Sequence, residues 1–314
     1  MAAQRLVRVV GLFVFLWLFV RGVEWRAVAA VLGRAEAAGW FAAGVCAYAI
    51  GQVCGGLGWR ALLQSAGSAV SIPAMLRHDL SSVFWSTILP GGVAGEVVKG
   101  VRLTGEGVVA SESAGSGESV PRPISGGAVA MALVVARLVS GTVACALALA
   151  LMPLATFPYR GAAALAIGAT ASAGVAGLVA VRVGPAVVGT VFPSIAARLP
   201  VGVFPQRSAI ALAASTSLAC HLAFAVVYAM AFRVGGAPLS LPDAALFAAL
   251  SSCVEALPIS VGGFGLREWT VSRMGAALFP PLAANAATLA LTAMVALAVG
   301  SGGLVELWRV RTAR

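Results

Sequence analysis

The sequence predicts an all-α, polytopic membrane protein, and three observations support that prediction. Of its 314 residues, 60% are apolar and 10% are charged, against roughly 25% charged in a soluble protein. The apolar residues form uncharged runs of about 20 residues, the length that a helix needs to cross a bilayer. The chain also has 37 glycines, which allow close helix packing in lipid. These observations exclude a water-soluble enzyme, and they exclude a β-barrel, whose strands alternate polar and apolar positions.

Five uncharged runs are predicted as membrane-spanning helices. They cover residues 38–59, 138–159, 161–181, 208–232 and 274–305. A sixth run, residues 9–20, would be about 18 Å long as a helix, but arginines on both sides can extend it toward the interfaces. Its basic start is also typical of a signal peptide, and this alternative stays open. We therefore expect about six spans.

Two polar stretches separate these runs. Residues 104–127 are rich in Gly, Ser and Glu, so they cannot bury an apolar face and are predicted as a flexible polar loop. Residues 184–206 contain four prolines, which indicates a connector at the membrane interface.

Two further segments resemble each other. The first begins at Ser71 and Pro73, the second at Ser240 and Pro242, and each pair suits the N-cap and first turn of a helix. In each segment a proline and several glycines then interrupt the helix. The predicted break residues are Pro90, Gly91, Gly92 and Gly95 in the first segment, and Pro258, Gly262, Gly263 and Gly265 in the second.

The length of these segments places the breaks inside the membrane. The uncharged parts, residues 80–89 and 244–254, are 10 and 11 residues long. That is about 15 to 17 Å of helix, half of a hydrocarbon core of about 30 Å. Non-helical backbone at that depth must be covered by protein or line a wet cavity. We therefore predict two re-entrant hairpins; two ordinary kinked spans, giving eight spans in all, are the alternative.

The charges predict an orientation and a repeat. With both termini in the cytoplasm, 13 Lys and Arg residues lie inside and 7 outside, which agrees with the positive-inside rule. The chain is then one membrane domain of the cell membrane, made of a first repeat, residues 1–152, and a second, inverted repeat, residues 153–314. The two hairpins would enter from opposite faces, as in many secondary transporters.

Charged residues inside the membrane are the candidate substrate-binding residues. Arg137 lies about 17 Å into the span that begins near Gly126. Glu255, just before the second break, is the carboxylate at similar depth. Two interpretations stay open: a buried Arg137–Glu255 ion pair that fixes helix packing, or an Arg137 that meets an anionic substrate in a polar cavity.

The segments after the breaks are also charged. Glu96, Lys99 and Arg102 recur at every third position, so they share one helical face, while valines cover the other. Arg267 and Glu268 occupy the equivalent place in the second segment. We expect these five side chains to line a cavity.

Other polar residues are given smaller roles. His78 and Asp79 are interpreted as a solvated interface pair, and His221 as a hydrogen-bonded packing histidine. With 2 His, and 5 Cys that show no metal-ligand spacing, we expect no metal, no cofactor and no catalytic residue. The net charge of +10 favours membrane phosphate as a partner over nucleic acid, because no soluble basic domain is present.

Three signatures together identify a resemblance. They are residues 89–99 (LPGGVAGEVVK), residues 136–138 (ARL) and residues 257–268 (LPISVGGFGLRE). With these, the chain resembles the lysylphosphatidylglycerol synthase/flippase transmembrane family over almost its whole length. The chain departs from that family's pattern at Ala94, where a second glycine is usual, at Glu96, where Asp is usual, and at Lys99, where Arg is frequent.

The resemblance implies translocation of a phospholipid or polyprenyl-phosphate-linked head group. Some family members carry a soluble aminoacyl-transferase domain after the membrane part; this chain ends at Arg314, so we expect any synthase or glycosyltransferase to be a separate partner. Two alternatives stay open. One is a membrane-embedded transferase with Glu96, Glu255 or Glu268 as base, and the other is a scaffold that anchors a synthase.

Overall fold

A computed structural model describes residues 21, 24–67, 70–88, 94–105, 126–191, 205–255 and 265–312. Within these ranges the chain is helical, apart from turns and one short 3-10 segment, Met152–Leu154, and contains no strand. The α-helices with described bounds are Trp25–Leu32 (α1), Ala35–Ser65 (α2), Ile72–Ile88 (α3), Ala94–Gly105 (α4), Gly126–Leu151 (α5), Arg160–Val191 (α6), Arg207–Val234 (α7), Leu241–Glu255 (α8), Leu266–Ala276 (α9) and Pro281–Thr312 (α10).

Five of these helices, α2, α5, α6, α7 and α10, are long and apolar enough to cross a membrane. The prediction of a polytopic helical membrane protein is confirmed, and each of the five predicted runs overlaps one of these helices. The span that bears Arg137 begins at Gly126, as predicted, but it ends at Leu154 rather than at residue 159. The last helix begins at Pro281 rather than at residue 274, because α9 ends at Ala276 and a turn follows. The predicted first span, residues 9–20, lies outside the described residues.

The two predicted breaks coincide with helix ends. Helix α3 ends at Ile88 and α4 begins at Ala94, while α8 ends at Glu255 and α9 begins at Leu266. At 1.5 Å per residue, the first arms α3 and α8 are about 26 and 22 Å long, shorter than a hydrocarbon core of about 30 Å. In each segment the two arms pack against each other, so each forms a hairpin. The break residues Pro90, Gly91, Gly92, Pro258, Gly262 and Gly263 lie outside the described residues.

The second hairpin lies alongside the N-terminal half of α10. At the end of α9, Gly275 lies against Ala284, near the start of α10. At the beginning of α9, Glu268 accepts a hydrogen bond from Thr292, which is eleven residues, about 17 Å, along α10. The broken end of this hairpin therefore lies toward the middle of α10.

The first hairpin lies alongside the C-terminal half of α10. In α3, Ser81 donates a hydrogen bond to Glu306, and Phe84, one turn closer to the break, packs on Gly302 and Gly303. Helix α3 therefore runs alongside α10, from the C-terminal end of α10 toward the middle of α10, as α3 approaches the break. The two hairpins run along α10 from opposite ends.

The helix contacts repeat between the two halves of the chain. Helices α2, α3, α4 and α5 correspond in order to α7, α8, α9 and α10, and each contact among these eight helices has an equivalent. The equivalent contacts are α2·α3 and α7·α8, α3·α4 and α8·α9, α4·α5 and α9·α10, α2·α5 and α7·α10, α5·α7 and α10·α2, and α3·α10 and α8·α5. The α2·α7 contact lies at the centre and is its own counterpart. The division of the chain at residue 152 stays a prediction.

The two polar stretches are described in part. The predicted loop, residues 104–127, is helical at both edges, and residues 106–125 lie outside the described residues. Helix α6 continues to Val191, so the first part of the predicted connector, residues 184–206, is helical, and residues 192–204 lie outside the described residues.

Candidate functional site

The charged face of α4 points into the protein. Lys99 is 4% exposed, whereas Val97 and Val101, on the other side of the helix, are 59% and 66% exposed. In a soluble protein the valines would be buried and the lysine solvated, but lipid is the solvent of a membrane helix and favours apolar side chains at the surface. The face predicted from the spacing of Glu96, Lys99 and Arg102 is therefore turned toward α2, α3 and α10.

Lys99 forms a buried ion pair with Asp79. The ammonium Nζ lies 2.7 Å from Asp79 Oδ1 and 3.5 Å from Glu96 Oε2. Trp59 Nε1 donates a second hydrogen bond to Asp79 Oδ1 over 2.7 Å, and Lys99 also lies over the Trp59 ring, 4.9 Å from its centroid. Three helices, α2, α3 and α4, thus meet at one carboxylate.

The interpretation of His78 and Asp79 as a solvated interface pair was wrong. The two residues are 3% and 7% exposed. The sequence places them only six and seven residues after Ile72, near an expected entrance to the membrane. Only the packing of α2 and α4 around α3 shows that they are covered.

Arg102 pairs with a residue that the sequence analysis did not single out. Its guanidinium binds Glu306 of α10 in a bidentate manner, with Nη1 2.5 Å from Oε1 and Nη2 2.7 Å from Oε2. Ser81 lies between the two, accepting from Arg102 and donating to Glu306. Glu306 is an acidic residue in an apolar helix, and that feature is the signal in the sequence by which it could have been found. The ion pair ties the first hairpin to α10.

Arg267 and Glu268 interact with each other within the second hairpin. Arg267 Nη2 lies 2.6 Å from Glu268 Oε1, and Thr292 donates to the same oxygen over 2.9 Å. The second oxygen accepts the backbone N–H of Gly265 over 2.7 Å. Glu268 therefore closes the first turn of α9, as the carboxylate of a capping box does. Both charged residues are buried.

Glu255 is paired with Arg267, not with Arg137. Glu255 Oε1 lies 3.8 Å from Arg267 Nη1, longer than a hydrogen bond. Within the described residues no ion pair joins Arg137 to Glu255, so the interpretation of a buried Arg137–Glu255 pair was wrong. Helix α5, which carries Arg137, does pack against α8 and α7, the helices of Glu255 and His221.

Arg137 has an exposed side chain at the middle of α5. Val134 and Gly141, one turn away on either side, are exposed as well. Among the described residues, Arg137 has no carboxylate within 4 Å, whereas Lys99, Arg102 and Arg267 each have at least one. Ser140 on the next face lies 3.0 Å from His221 Nε2, as expected of a hydrogen-bonded packing histidine.

Two of the predicted break glycines lie within the described residues. Gly95 faces α3 so closely that a Cβ atom would collide with the Ser82 carbonyl and the Ser86 hydroxyl. Gly265 has a φ of +80°, a backbone conformation that costs other residues about 1 to 2 kcal/mol. Gly95 therefore allows close helix packing, and Gly265 allows the chain to turn into α9.

The arrangement holds four cations and five carboxylates. The cations are Lys99, Arg102, Arg137 and Arg267, and the carboxylates are Asp79, Glu96, Glu255, Glu268 and Glu306. Three of the cations have a carboxylate within 4 Å, and among the described residues Arg137 does not. The described residues contain no group of three or more His, Cys, Asp or Glu that would hold a metal ion.

Comparison with known proteins identifies the family. The model of the lysylphosphatidylglycerol synthase TM region matches residues 5–301, which is nearly the whole chain. The protein therefore belongs to this family of membrane proteins linked to lipid metabolism, and the resemblance carried by the three signatures is confirmed. No curated protein matches the chain, and no solved structure matches it.

Proposed function

We propose that this member of the lysylphosphatidylglycerol synthase transmembrane family moves the head group of an anionic phospholipid, or of a polyprenyl-phosphate-linked compound, across the membrane. The acyl or prenyl tails stay in lipid throughout. The observation that carries the proposal is Arg137, an exposed arginine at mid-height of an apolar helix.

An arginine at the centre of a membrane helix costs about 2.5 to 3.5 kcal/mol. A structural arginine offsets that cost with a carboxylate partner, and within the described part of the chain Arg137 has none inside 4 Å. A phosphate offers the planar guanidinium two parallel hydrogen bonds. An anionic head group is therefore a suitable partner for this side chain.

The surroundings of Arg137 suit a lipid better than a soluble anion. Val134 and Gly141, its neighbours on the exposed face of α5, are apolar or lack a side chain. A ligand that binds there meets one positive charge flanked by apolar surface. Lipids with a phosphate head and hydrocarbon tails have the matching distribution of charge.

Arg267 is the second residue that we assign to the pathway. Its contact with Glu255 is 3.8 Å long and lacks a hydrogen bond, so an incoming phosphate displaces it at little cost. Its contact with Glu268 holds the guanidinium in place. Arg267 lies 3.8 Å from Glu255, and α5, which carries Arg137, packs against α8, which carries Glu255. These contacts support a site shared between α5 and the second hairpin.

We propose transport rather than catalysis. Glu268 already accepts hydrogen bonds from Gly265, Arg267 and Thr292, so it is a poor general base. Glu255 is the carboxylate that a transferase would use. Product formed from a lipid-linked sugar donor and abolished by Glu255→Gln would replace transport with catalysis.

The test is a flipping assay with the purified full chain in liposomes. The probes are fluorescent phosphatidylglycerol and a fluorescent polyprenyl phosphate, and a membrane-impermeant reductant reports the fraction in the outer leaflet. We expect Arg137→Gln to slow translocation about 10- to 100-fold, the effect of losing hydrogen bonds from a charged group worth about 1.5 to 3 kcal/mol. Arg137→Lys should keep part of the rate.

Arg311→Gln is the matched control, because it removes an exposed arginine from the end of α10. Its translocation rate should equal that of the unchanged protein. If neither probe moves faster than in protein-free liposomes, the proposed function is wrong.

The cellular setting is proposed on the same basis. We place the protein in the cell membrane with both termini in the cytoplasm, beside a separate synthase or glycosyltransferase that supplies the lipid. This topology puts the outer ends of the two hairpins on opposite faces. Labelling of single cysteines introduced at residues 102 and 273 from the same side of the membrane would contradict it.

A further inference from the structure

We propose that Asp79 is a proton-binding site that couples head-group binding to proton uptake. When Asp79 takes up a proton, Lys99 is released from its ion pair and becomes available to the phosphate of the lipid. This inference rests on the proposed function, and it adds to it a second ligand, the proton, at the first hairpin.

The two oxygens of Asp79 have different surroundings. Oδ1 accepts hydrogen bonds from both Trp59 and Lys99. Oδ2 is buried and has no hydrogen-bond partner among the described residues. It faces Gly56 so closely that a Cβ atom at that position would collide with it. A buried carboxylate oxygen without a donor is costly, and a proton on Oδ2 removes that cost.

Lys99 is a buried cation that depends on nearby anions. It is 4% exposed, and removal of its carboxylate partner would leave a charge inside the protein, which is strongly unfavourable. Protonation of Asp79 therefore leaves Lys99 with its longer contact to Glu96, 3.5 Å away, so a further anion stabilises the buried ammonium. Glu96, the second neighbour of Lys99, is 3.5 Å away and its side chain is 31% exposed, so a polar path joins Lys99 to the surface.

The charged and titratable groups around Asp79 come from every helix that packs on α3. On α3 itself His78 is adjacent in sequence and Ser81 one turn away. The groups on other helices that face Asp79 are Trp59 on α2, Lys99 and Glu96 on α4, and the Cys220 thiol on α7. The ion pair of Arg102 and Glu306 lies further away and is connected to α3 by hydrogen bonds to Ser81. Lys99 is the cation in direct contact with Asp79.

The coupled step is balanced in protons and charge. A proton from water bonds to Asp79 Oδ2, and the hydrogen bond from Lys99 Nζ to Oδ1 breaks. Lys99 keeps its three protons and pairs with a phosphate oxygen of the head group. The net reaction takes up one proton and one negative charge, so the charge inside the membrane is unchanged.

Reciprocity gives the expected size of the effect. If binding of the anion favours protonation of Asp79, a lower pH must strengthen binding of the anion by the same free energy. For one proton taken up per lipid, the Kd falls up to about tenfold for each unit of decreasing pH. Outside the range in which Asp79 titrates, the Kd is independent of pH.

The experiment measures proton uptake and binding together. Short-chain dioctanoyl phosphatidylglycerol is added to the full chain in detergent, in weakly buffered solution with a pH-sensitive dye, while calorimetry gives the bound fraction. We expect about one proton taken up per lipid bound. Dioctanoyl phosphatidylcholine, a zwitterionic head group, serves as the neutral probe and should cause no uptake.

Asp79→Asn is the diagnostic variant, because the Asn side chain resembles the protonated carboxyl group and its carbonyl oxygen can still accept the hydrogen bond from Trp59. It should bind phosphatidylglycerol without proton uptake and with a Kd that does not change with pH. Glu36→Gln, which removes an exposed carboxylate at the start of α2, is the matched control and should behave like the unchanged protein.

A second variant guards against misfolding. If Asp79→Asn aggregates because Lys99 is left buried, the double variant Asp79→Asn with Lys99→Gln removes both charges, a change that folded proteins frequently tolerate. It should elute as a single species and show no proton uptake, with at least a tenfold weaker Kd.

The outcomes separate the two proposals. Phosphatidylglycerol that binds without proton uptake to the unchanged protein, or uptake that persists in Asp79→Asn, overturns the inference and leaves the proposed function standing. Absence of both binding in detergent and translocation in liposomes overturns the proposed function, and the coupling with it.

Discussion

Substitution of Glu268 by Gln tests how the second hairpin is held together. Glu268 is 2% exposed and accepts from the Gly265 backbone over 2.7 Å, from Arg267 over 2.6 Å and from Thr292 over 2.9 Å. The amide removes the negative charge and replaces one acceptor oxygen by a donor. Either Gly265 or Arg267 then faces an N–H group, and the carboxylate that remains near Arg267 is that of Glu255, 3.8 Å away.

The magnitude follows from the geometry. Removal of one partner from a buried ion pair costs about 3 to 5 kcal/mol, and loss of an N-cap interaction alone costs about 1 kcal/mol. We therefore expect Glu268→Gln to lower the free energy of unfolding by about 3 to 5 kcal/mol. Glu36→Gln, at an exposed site, should change it by less than about 0.5 kcal/mol.

The assay uses the protein's own thiols. Cys145 and Cys220 are free and buried, whereas Cys46 is free and exposed. The increase in fluorogenic maleimide labelling above that of the folded protein therefore reports unfolding of the full chain in detergent as denaturant is added. The double variant with Arg267→Gln and Glu268→Gln should recover at least half of the loss, because the charge that Glu268 neutralised is removed as well. A Glu268→Gln protein within about 1 kcal/mol of the unchanged chain would refute the reasoning.

Three further substitutions use the same unfolding assay. Gly302→Ala should cost about 1 to 3 kcal/mol, because its Cβ would collide with the backbone of α3, whereas Gly300→Ala, which meets nothing within 4 Å, should be neutral or stabilise by up to about 1 kcal/mol; equal effects would contradict this packing. Gly265→Ala should cost about 1 to 2 kcal/mol because of its positive φ, and an unchanged midpoint would mean that α9 begins differently. Trp59→Phe should cost about 1.5 to 3 kcal/mol through the lost hydrogen bond to Asp79, and a smaller cost would mean that Lys99 alone holds the carboxylate.

Several parts of the site follow from sequence spacing. The period of Glu96, Lys99 and Arg102 places them on one helical face whatever surrounds the helix. The prolines and glycines near residues 90 and 258 predict helix ends there, because they remove a backbone donor or weaken the helix. The helices do end beside both positions.

The partners of these charges did not follow from spacing. Lys99 pairs with Asp79, twenty residues earlier, and Arg102 pairs with Glu306, 204 residues later. Glu255 was assigned to Arg137 because both lie at similar depth, but depth does not determine which faces of two helices meet. That depends on the close approaches at small residues such as Gly95 and Gly302.

By itself the sequence determined that the chain is a bundle of membrane helices with two interrupted segments, since hydrophobicity, helix length and helix breaks are local properties of the chain. Only the tertiary structure decided which cation meets which carboxylate, and that Arg137 has no carboxylate close to it among the described residues. Ion pairing acts over a few ångströms between helices far apart in sequence, so its pattern arises only when the helices pack.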